Sequence, residues 1–391
     1  MMKFDEAFEI VMGSAHQLGT ERVDIIHAAS RILVEDVKSD MDMPPFDKAA
    51  MDGYACRRED LVNELAVIET ILAGCVPKNT IGHNQCAKIM TGSIVPSGAD
   101  CVIMKEYVEL LTENTIRFVE EKTADNICCK GEDIKAGDIV LKKGIVLRPQ
   151  YIAVLASVGH TQPLVAKRPR VAVIATGDEL VEPASKPGPS QIRNSNSFQL
   201  AAQVTAVGAM ATNCGIAADT KEVLDNMVKN AIAENDVVIL SGGVSVGDYD
   251  LVRQILKENS VDLLFEKIAV KPGRPTVFGV CDEAFCFGLP GNPVSSFVMF
   301  ELLVKPFLFK MMGHDFKPLQ KQGVLERTIK REKTERDSWL PVVFTKNGKV
   351  AVVEYHGSAH GNALCEADGL LCIRAGVAEI EEGTSVVVRQ I

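Results

Sequence analysis

The sequence predicts a multidomain α/β chain: a mostly parallel α/β domain, a helical domain, a β-rich insertion and a C-terminal β domain. Three observations carry this. From about residue 168, continuous apolar runs alternate with amphipathic helical runs, a rhythm that requires crossover connections and so parallel strands. Between residues 41 and 133 the apolar runs are short and alternating, as in strands. After Pro318, short alternating runs return. At 391 residues the chain is long enough for roughly two to four domains.

The elements follow in order. Residues 3 to about 38 read as helical, with Phe8, Val11 and Met12, then Val23, Ile26 and Leu33, at helical spacing. "DMPPFDKAAMDGYA" stops the helix with two prolines. "AVIETILAG", "CAKIMTG", "DCVIMKEYVEL" and "NTIRFVE" read as strands. "PQYIAVLASVG" restores a helical pattern that Gly159 closes. The β unit is therefore inserted between two parts of an elongated helical domain. "RVAVIATG", "AMATNCGIA", "DVVILSGG" and "AFCFGLPG" are strands. "SNSFQLAAQVTAV", "TKEVLDNMVKNAIAEN", "DYDLVRQILKEN" and the long "NPVSSFVMFELLVKPFLFKMMG" are the helices that alternate with them, the first with Ser or Asn capping residues at its start. "KVAVVEY", "GLLCIR" and "TSVVVRQ" build the last domain. The expected boundaries are 1–40 with 134–167 (helical), 41–133 (β-rich), 168–316 (α/β) and 317–391 (C-terminal β).

Composition excludes several function classes. Hydrophobic residues make up 47% and charged residues 24%, as in soluble globular proteins. A formal net charge of -10 argues against nucleic acid held by a general positive field, but not against a local basic pocket. No apolar run reaches the roughly 18 residues of a membrane span. The acidic amphipathic start is unlike a signal peptide. The 11 cysteines show no CxxC spacing, so reduced thiols in a cytoplasmic protein are expected. Of the seven histidines only His356 and His360 stand at HxxxH spacing, and with no HxH and no CxxC beside them they make no zinc pattern.

Ligands in open α/β sheets bind outside the carboxyl ends of the strands. The loops there are "TGDEL", "SGGVSVGDYD" and "LPGNPVS". Thr176, Asp178 and Glu179 sit in the first; Gly242, Gly243, Asp248 and Asp250 sit in the second. Carboxylates converging on strand ends suit Mg²⁺, which takes oxygen ligands and keeps several waters. Each has a plainer reading as a helix cap or a solvated charge. Asn292 and Pro293 make a helix start, with or without an anion at its N–H groups. Lys267, Lys271 and Arg274 form a basic cluster in an acidic chain and are expected to line an anion pocket. In the insertion, "FDKAAMDGYA" is expected to pack down with Asp52 held at its tip. Thr91 and Ser93 lie in "MTGSIVPSGAD", and Glu132 and Asp133 at the return to the helical domain. No Walker lysine is present, and no Ser/His/Asp order suggests a hydrolase triad. A loop offering both amides and carboxylates suits a metal-bound nucleotide or pyrophosphate.

"PPFDKAAMDGYA", "IMTGSIVPSGADCVIMKE", "GEDIKAGDIVLKKG", "ATGDELVEP", "IRNSNSFQL", "SGGVSVGDYD", "KIAVKPGRPTVFG" and "GLPGNPVSSFV", in register, resemble the MoeA family of molybdopterin molybdenumtransferases, which includes gephyrin-type E domains. The resemblance implies a MogA-like α/β domain, a C-terminal β barrel and an elongated homodimer. Its cleft would lie between the α/β domain of one subunit and the β insertion of the other. It implies insertion of molybdate into adenylylated molybdopterin, with a divalent cation and release of AMP; a MogA-like adenylyltransferase would supply the adenylylated pterin. It places family positions on Asp52, Thr91, Asp133, Glu179, Asp219, Asp250, Lys267, Lys271, Pro290, Pro293 and Ser358. Glu179 and Asp250 would hold Mg²⁺, Lys267 and Lys271 would bind molybdate or stabilise developing charge, and Gly242, Gly243 and Ser245 would cradle the phosphate. Cys128 stands where the family often has arginine, with Lys130 as a different substitute. The competing readings are the preceding step, Mg-ATP-dependent adenylylation of molybdopterin, and a non-enzymatic gephyrin-like scaffold.

Overall fold

The computed structural model describes residues 1–243, 251–354, 357 and 361–391. The chain opens with α1, Phe4–Ser14. The helical reading of residues 3 to 38 is corrected from there on. The chain turns at Gly19 (φ +92°), and Thr20–Arg22 pairs antiparallel with Leu164–Ala166. Val23 and Leu33 lie in irregular or bridged backbone, and Ile26, on a short 3₁₀ turn, is 75% exposed. A partner more than a hundred residues away supplies this ladder, and helical spacing cannot report it. The returning segment does hold the expected helix, α2, Pro149–Ser157, followed by Gly159 at φ +68°.

The insertion is a six-stranded sheet of β1 Gly53–Cys56, β2 Glu64–Ile71, β3 Gln85–Ile89, β4 Cys101–Met104, β5 Val108–Thr112 and β6 Thr115–Phe118. Its order is β4-β1-β3-β2-β6-β5. A side chain at Gly53 would collide with the Ile103 carbonyl, so only glycine lets β1 approach β4 here. That close approach sets the position of Asp52, one residue earlier.

The α/β domain is built on β7 Arg170–Thr176, β8 Met210–Ala217, β9 Val237–Ser241, β10 Asp262–Phe265, β11 Val277–Val280 and β12 Phe285–Leu289. The order is β8-β7-β9-β12-β11-β10, with the first four strands parallel and β11 and β10 antiparallel additions. Alternation divides each central strand between two cores. Val171, Val173 and Ile239 face the phenylalanine-rich core, whereas Ala172, Ile174 and Val238 face α4 (Lys221–Glu234) and α5 (Leu251–Glu258). The helix α3, Asn196–Ala206, follows the first loop.

The long helix expected after Asn292 is α6, Pro293–Met299, then a π-turn over Phe300–Val304, then α7, Lys305–Met311. Pro306 explains the interruption. It has no N–H for an i−4 bond, and its ring would crowd the Leu302 carbonyl in a regular helix. The last domain is a closed five-strand barrel of β13 Gln320–Leu325, β14 Asp337–Phe344, β15 Lys349–Val352, β16 Gly369–Ile373 and β17 Ser385–Gln390, with β14 closing onto β16. Val270–Lys271 adds to β14 in parallel and ties the lysine-bearing segment to the barrel. Among the described residues no helix is long and apolar enough to cross a membrane.

Phe287 sits at the centre of the aromatic core, fully buried, with Phe278 and Phe307 at centroid distances of 4.8 and 5.4 Å. Phe287→Ala is expected to destabilise the α/β domain by about 3–5 kcal/mol in urea unfolding. A loss below about 1 kcal/mol would contradict this packing.

Candidate active site

The carboxyl ends of β7, β9 and β12 open into one cavity of about 670 Å³. Backbone packing makes the space. Gly242 has φ +100°, and any side chain there would collide with the Thr176 carbonyl. Gly243 has φ +64°, and a Cβ there would lie 2.8 Å from Val252 Cγ2. Only glycine adopts these angles at this proximity. The Gly242 N–H donates to the Leu289 carbonyl at 3.1 Å, so this amide is not free to cradle a phosphate. The contribution of Gly242 is close approach.

Asn196, at the start of α3, joins the loops. Its amide donates to Ser241 Oγ at 2.9 Å and to the Gly291 carbonyl at 2.7 Å. Its Oδ1 is buried without a partner among the described residues. Asn194 serves the helix start, accepting from the Ser197 N–H at 3.3 Å. The reading of "SNS" as capping residues therefore missed a site residue. Arg193 lines the cavity as well and was also missed. The available signal was a polar run, "RNSNS", longer than one cap requires.

The carboxylates differ in their commitments. Thr176 Oγ1 donates to Asp219 Oδ1 at 2.5 Å, and the Asp219 N–H donates to Asp178 Oδ1 at 3.0 Å. Glu179 turns back over Gly177, where a Cβ would lie 2.6 Å from its Oε2. Its carbonyl accepts from the Ile192 N–H at 2.7 Å, but its carboxylate makes no hydrogen bond or ion pair with any described residue. Glu179, Asp219, Gly242, Gly243, Pro290 and Pro293 thus share the cavity. Ser245, Asp248, Asp250 and Ser358 lie outside the described residues.

Mg²⁺ needs only one or two carboxylates and keeps its waters. The uncommitted oxygens of Glu179 fit that donor chemistry. The described residues hold no group of three metal-ligating side chains.

Lys267, Lys271 and Arg274 do not line this cavity, although Pro275 does. Ile268 and Val270 are buried, whereas Lys267 is half-buried and Lys271 exposed. Regular strand covers only Val270–Lys271. None of the three cations is ion-paired with a described residue.

In the insertion, Asp52 and Thr91 do meet. Asp52 Oδ1 accepts from both the N–H and the hydroxyl of Thr91, each at 2.8 Å, and Lys105 Nζ lies 3.6 Å from Oδ2. The Thr91 hydrogen bonds, assisted by Lys105, hold the Asp52 carboxyl below its ordinary value. Asp133 is exposed, with its N–H donated to the Met43 carbonyl, and it does not join this pair. Lys130 lies 3.6 Å from Asp42 through its Nζ, so it is occupied with Asp42 rather than replacing an arginine at Cys128. Cys128 pairs in a short ladder with Lys48.

A depressed carboxylate stabilises its contacts above its unfolded-state titration and loses them as pH falls through the folded value. Asp52 is expected to titrate below the ordinary aspartate range, and Thr91→Ala should move its midpoint upward in a carboxyl ¹³C NMR titration. An unmoved midpoint would contradict the Thr91 assignment.

Comparison with known proteins agrees with this architecture. Residues 2–159 match the MoeA N-terminal region (domains I and II), 172–310 a probable molybdopterin binding domain, and 322–391 the MoeA C-terminal region (domain IV). A molybdopterin molybdenumtransferase of Staphylococcus epidermidis is 37% identical over 386 residues, covering 93% of this chain and 91% of that one. One from Staphylococcus aureus is 36% identical over 389 residues, with the same coverage. The crystal structure of a molybdopterin biosynthesis MoeA protein from Pyrococcus horikoshii aligns over 100% of both chains with 30% identity and a TM-score of 0.84. The chain belongs to the MoeA family.

Proposed function

We propose that this chain is a molybdopterin molybdenumtransferase of molybdenum cofactor biosynthesis. It inserts molybdate into adenylylated molybdopterin and releases AMP. The carrying observation is the strand-end cavity, which gathers Glu179, Asp219, Gly242, Gly243, Pro290 and Pro293 in a chain of this family. The reaction must bring two anions together, the adenylate phosphate and molybdate. A protein of net charge -10 can do so only with local positive charge. Lys267, Lys271 and Arg274, without ion pairs among the described residues, hold molybdate and stabilise charge that builds as it attacks. Pro290 and Pro293 wall the phosphate side of the cavity. Asn196 holds the loops so that this wall is fixed before substrate arrives. Glu179, with Asp250, would hold Mg²⁺, which when bound supplies neutralisation at the adenylate phosphate.

Asp52 and Thr91 do not line the cavity of their own chain. A homodimer in which the insertion of one subunit covers the cavity of the other accounts for this, with Asp52 acting on the bound substrate and Asp133 and Ser358 as further contacts. A MogA-like adenylyltransferase supplies the substrate.

The test is AMP release from adenylylated molybdopterin with Mg²⁺, with and without molybdate. Release should depend on molybdate and fall roughly 100-fold in Glu179→Ala and in Asp250→Ala. Tight adenylate binding without release in the unaltered protein would contradict the proposal and favour a scaffold.

A further inference from the structure

A second cavity, of about 820 Å³, lies at the opposite end of the parallel sheet, where the N-terminal segment meets the α/β domain. It borders the first residues of β7 and β8, Arg170 and Met210, and Asp236 just before β9. The length of β7, about 20 Å, separates it from the candidate active site.

The charges here do not balance. Four cations and two carboxylates line the cavity. Arg170 uses Asp236, with Nη2 3.1 Å from Oδ1 and Nε 3.4 Å from Oδ2. Arg31, 6% exposed, uses Glu21 at 2.5 Å and the Ala166 carbonyl at 2.7 Å. Lys167 and Arg168 remain. Lys167 is exposed and unpaired among the described residues. Arg168 Nε is buried with no hydrogen-bond partner, and Arg168 forms no ion pair with any described residue. Burial and then the neighbouring Arg31 disfavour its charge, with Glu21 offsetting part of this. An arginine stays charged in proteins, so its buried donor calls for an acceptor. The surplus is two positive charges, which a phosphate dianion matches, and the guanidinium fork suits phosphate oxygens. Beside these charges the lining holds His27 and an apolar stretch of rim, where Ile26 and Met210 are 75% and 54% exposed and Leu18 also lines the cavity. They are placed to cover the body of a ligand whose head sits on Arg168.

We propose that this cavity is a second ligand site, separate from the active site, for a small organic phosphate monoester. Arg168 and Lys167 take the phosphate, Arg31 supports it, and Leu18, Ile26 and Met210 take the apolar body.

The test is calorimetric titration of the full chain with phenyl phosphate and with inorganic phosphate at constant ionic strength. Phenyl phosphate should bind saturably, about tenfold more tightly than inorganic phosphate because its ring covers the apolar rim. Arg168→Gln should weaken it at least tenfold, while the melting temperature of the unliganded protein stays the same or rises, because the partly buried guanidinium makes no hydrogen bond or ion pair with a described residue. Lys167→Ala, at an exposed position, should weaken it less. Lys271→Ala should bind as the unaltered protein does, which separates this cavity from the active site. No saturable binding, binding unaffected by Arg168→Gln, or binding lost in Lys271→Ala would each overturn the proposal.

Discussion

The approach of Gly242 to the Thr176 carbonyl is the constraint on which the site depends. It draws the loop after β9 against the end of β7 and leaves no room for a Cβ. The Gly242 N–H then reaches Leu289 on β12, so three strand ends are joined through one residue. Asn196 adds a second tie from α3 to both neighbouring loops. With the backbone committed in this way, the cavity between the loops is fixed by the sheet itself, and the polar groups around it are aimed before any ligand enters. The rigid part is in turn supported by the two cores on either face of β7 and β9.

Much of this was legible in the residues. The buried runs of β7, β9 and β12 are continuous and apolar because both faces of a parallel sheet are covered. The glycine-rich loops after them marked the site. Period alone failed where distant parts of the chain intervene. Val23 and Ile26 keep helical spacing, yet Thr20–Arg22 just before them is extended against residues 164–166, and Ile26 lies on a short 3₁₀ turn. The helix after Asn292 breaks at a π-turn because Pro306 cannot serve it, a conflict visible in the sequence but outweighed by the strength of the apolar pattern. Asn196 was read as part of a cap because sequence shows a residue's preference for a helix start but not the loops that its amide will reach.

Charge is distributed on one logic throughout. An acidic chain that handles anions needs local positive charge where they bind. Where carboxylates meet cations, as at Arg170 with Asp236 or Lys305 with Glu301, the pairs close on themselves and leave nothing for a ligand. Lys267, Lys271, Arg274 and Arg168 are different in having no such partner among the described residues. The first three lie on a segment anchored to the barrel through Val270–Lys271; Arg168 lies at the far end of β7. The same chain thus carries unbalanced positive charge at two well-separated places.

The central claim is that the cavity of one subunit is completed by Asp52 and Thr91 of another. Mixing two inactive variants, Glu179→Ala and Asp52→Ala, under conditions that exchange subunits tests it most directly, with AMP release as the readout. If sites are shared between chains, half of the dimers are mixed and each carries one intact site, so activity should recover to about a quarter of the unaltered level. No recovery, despite demonstrated exchange, would contradict a shared site and place the whole reaction within a single chain.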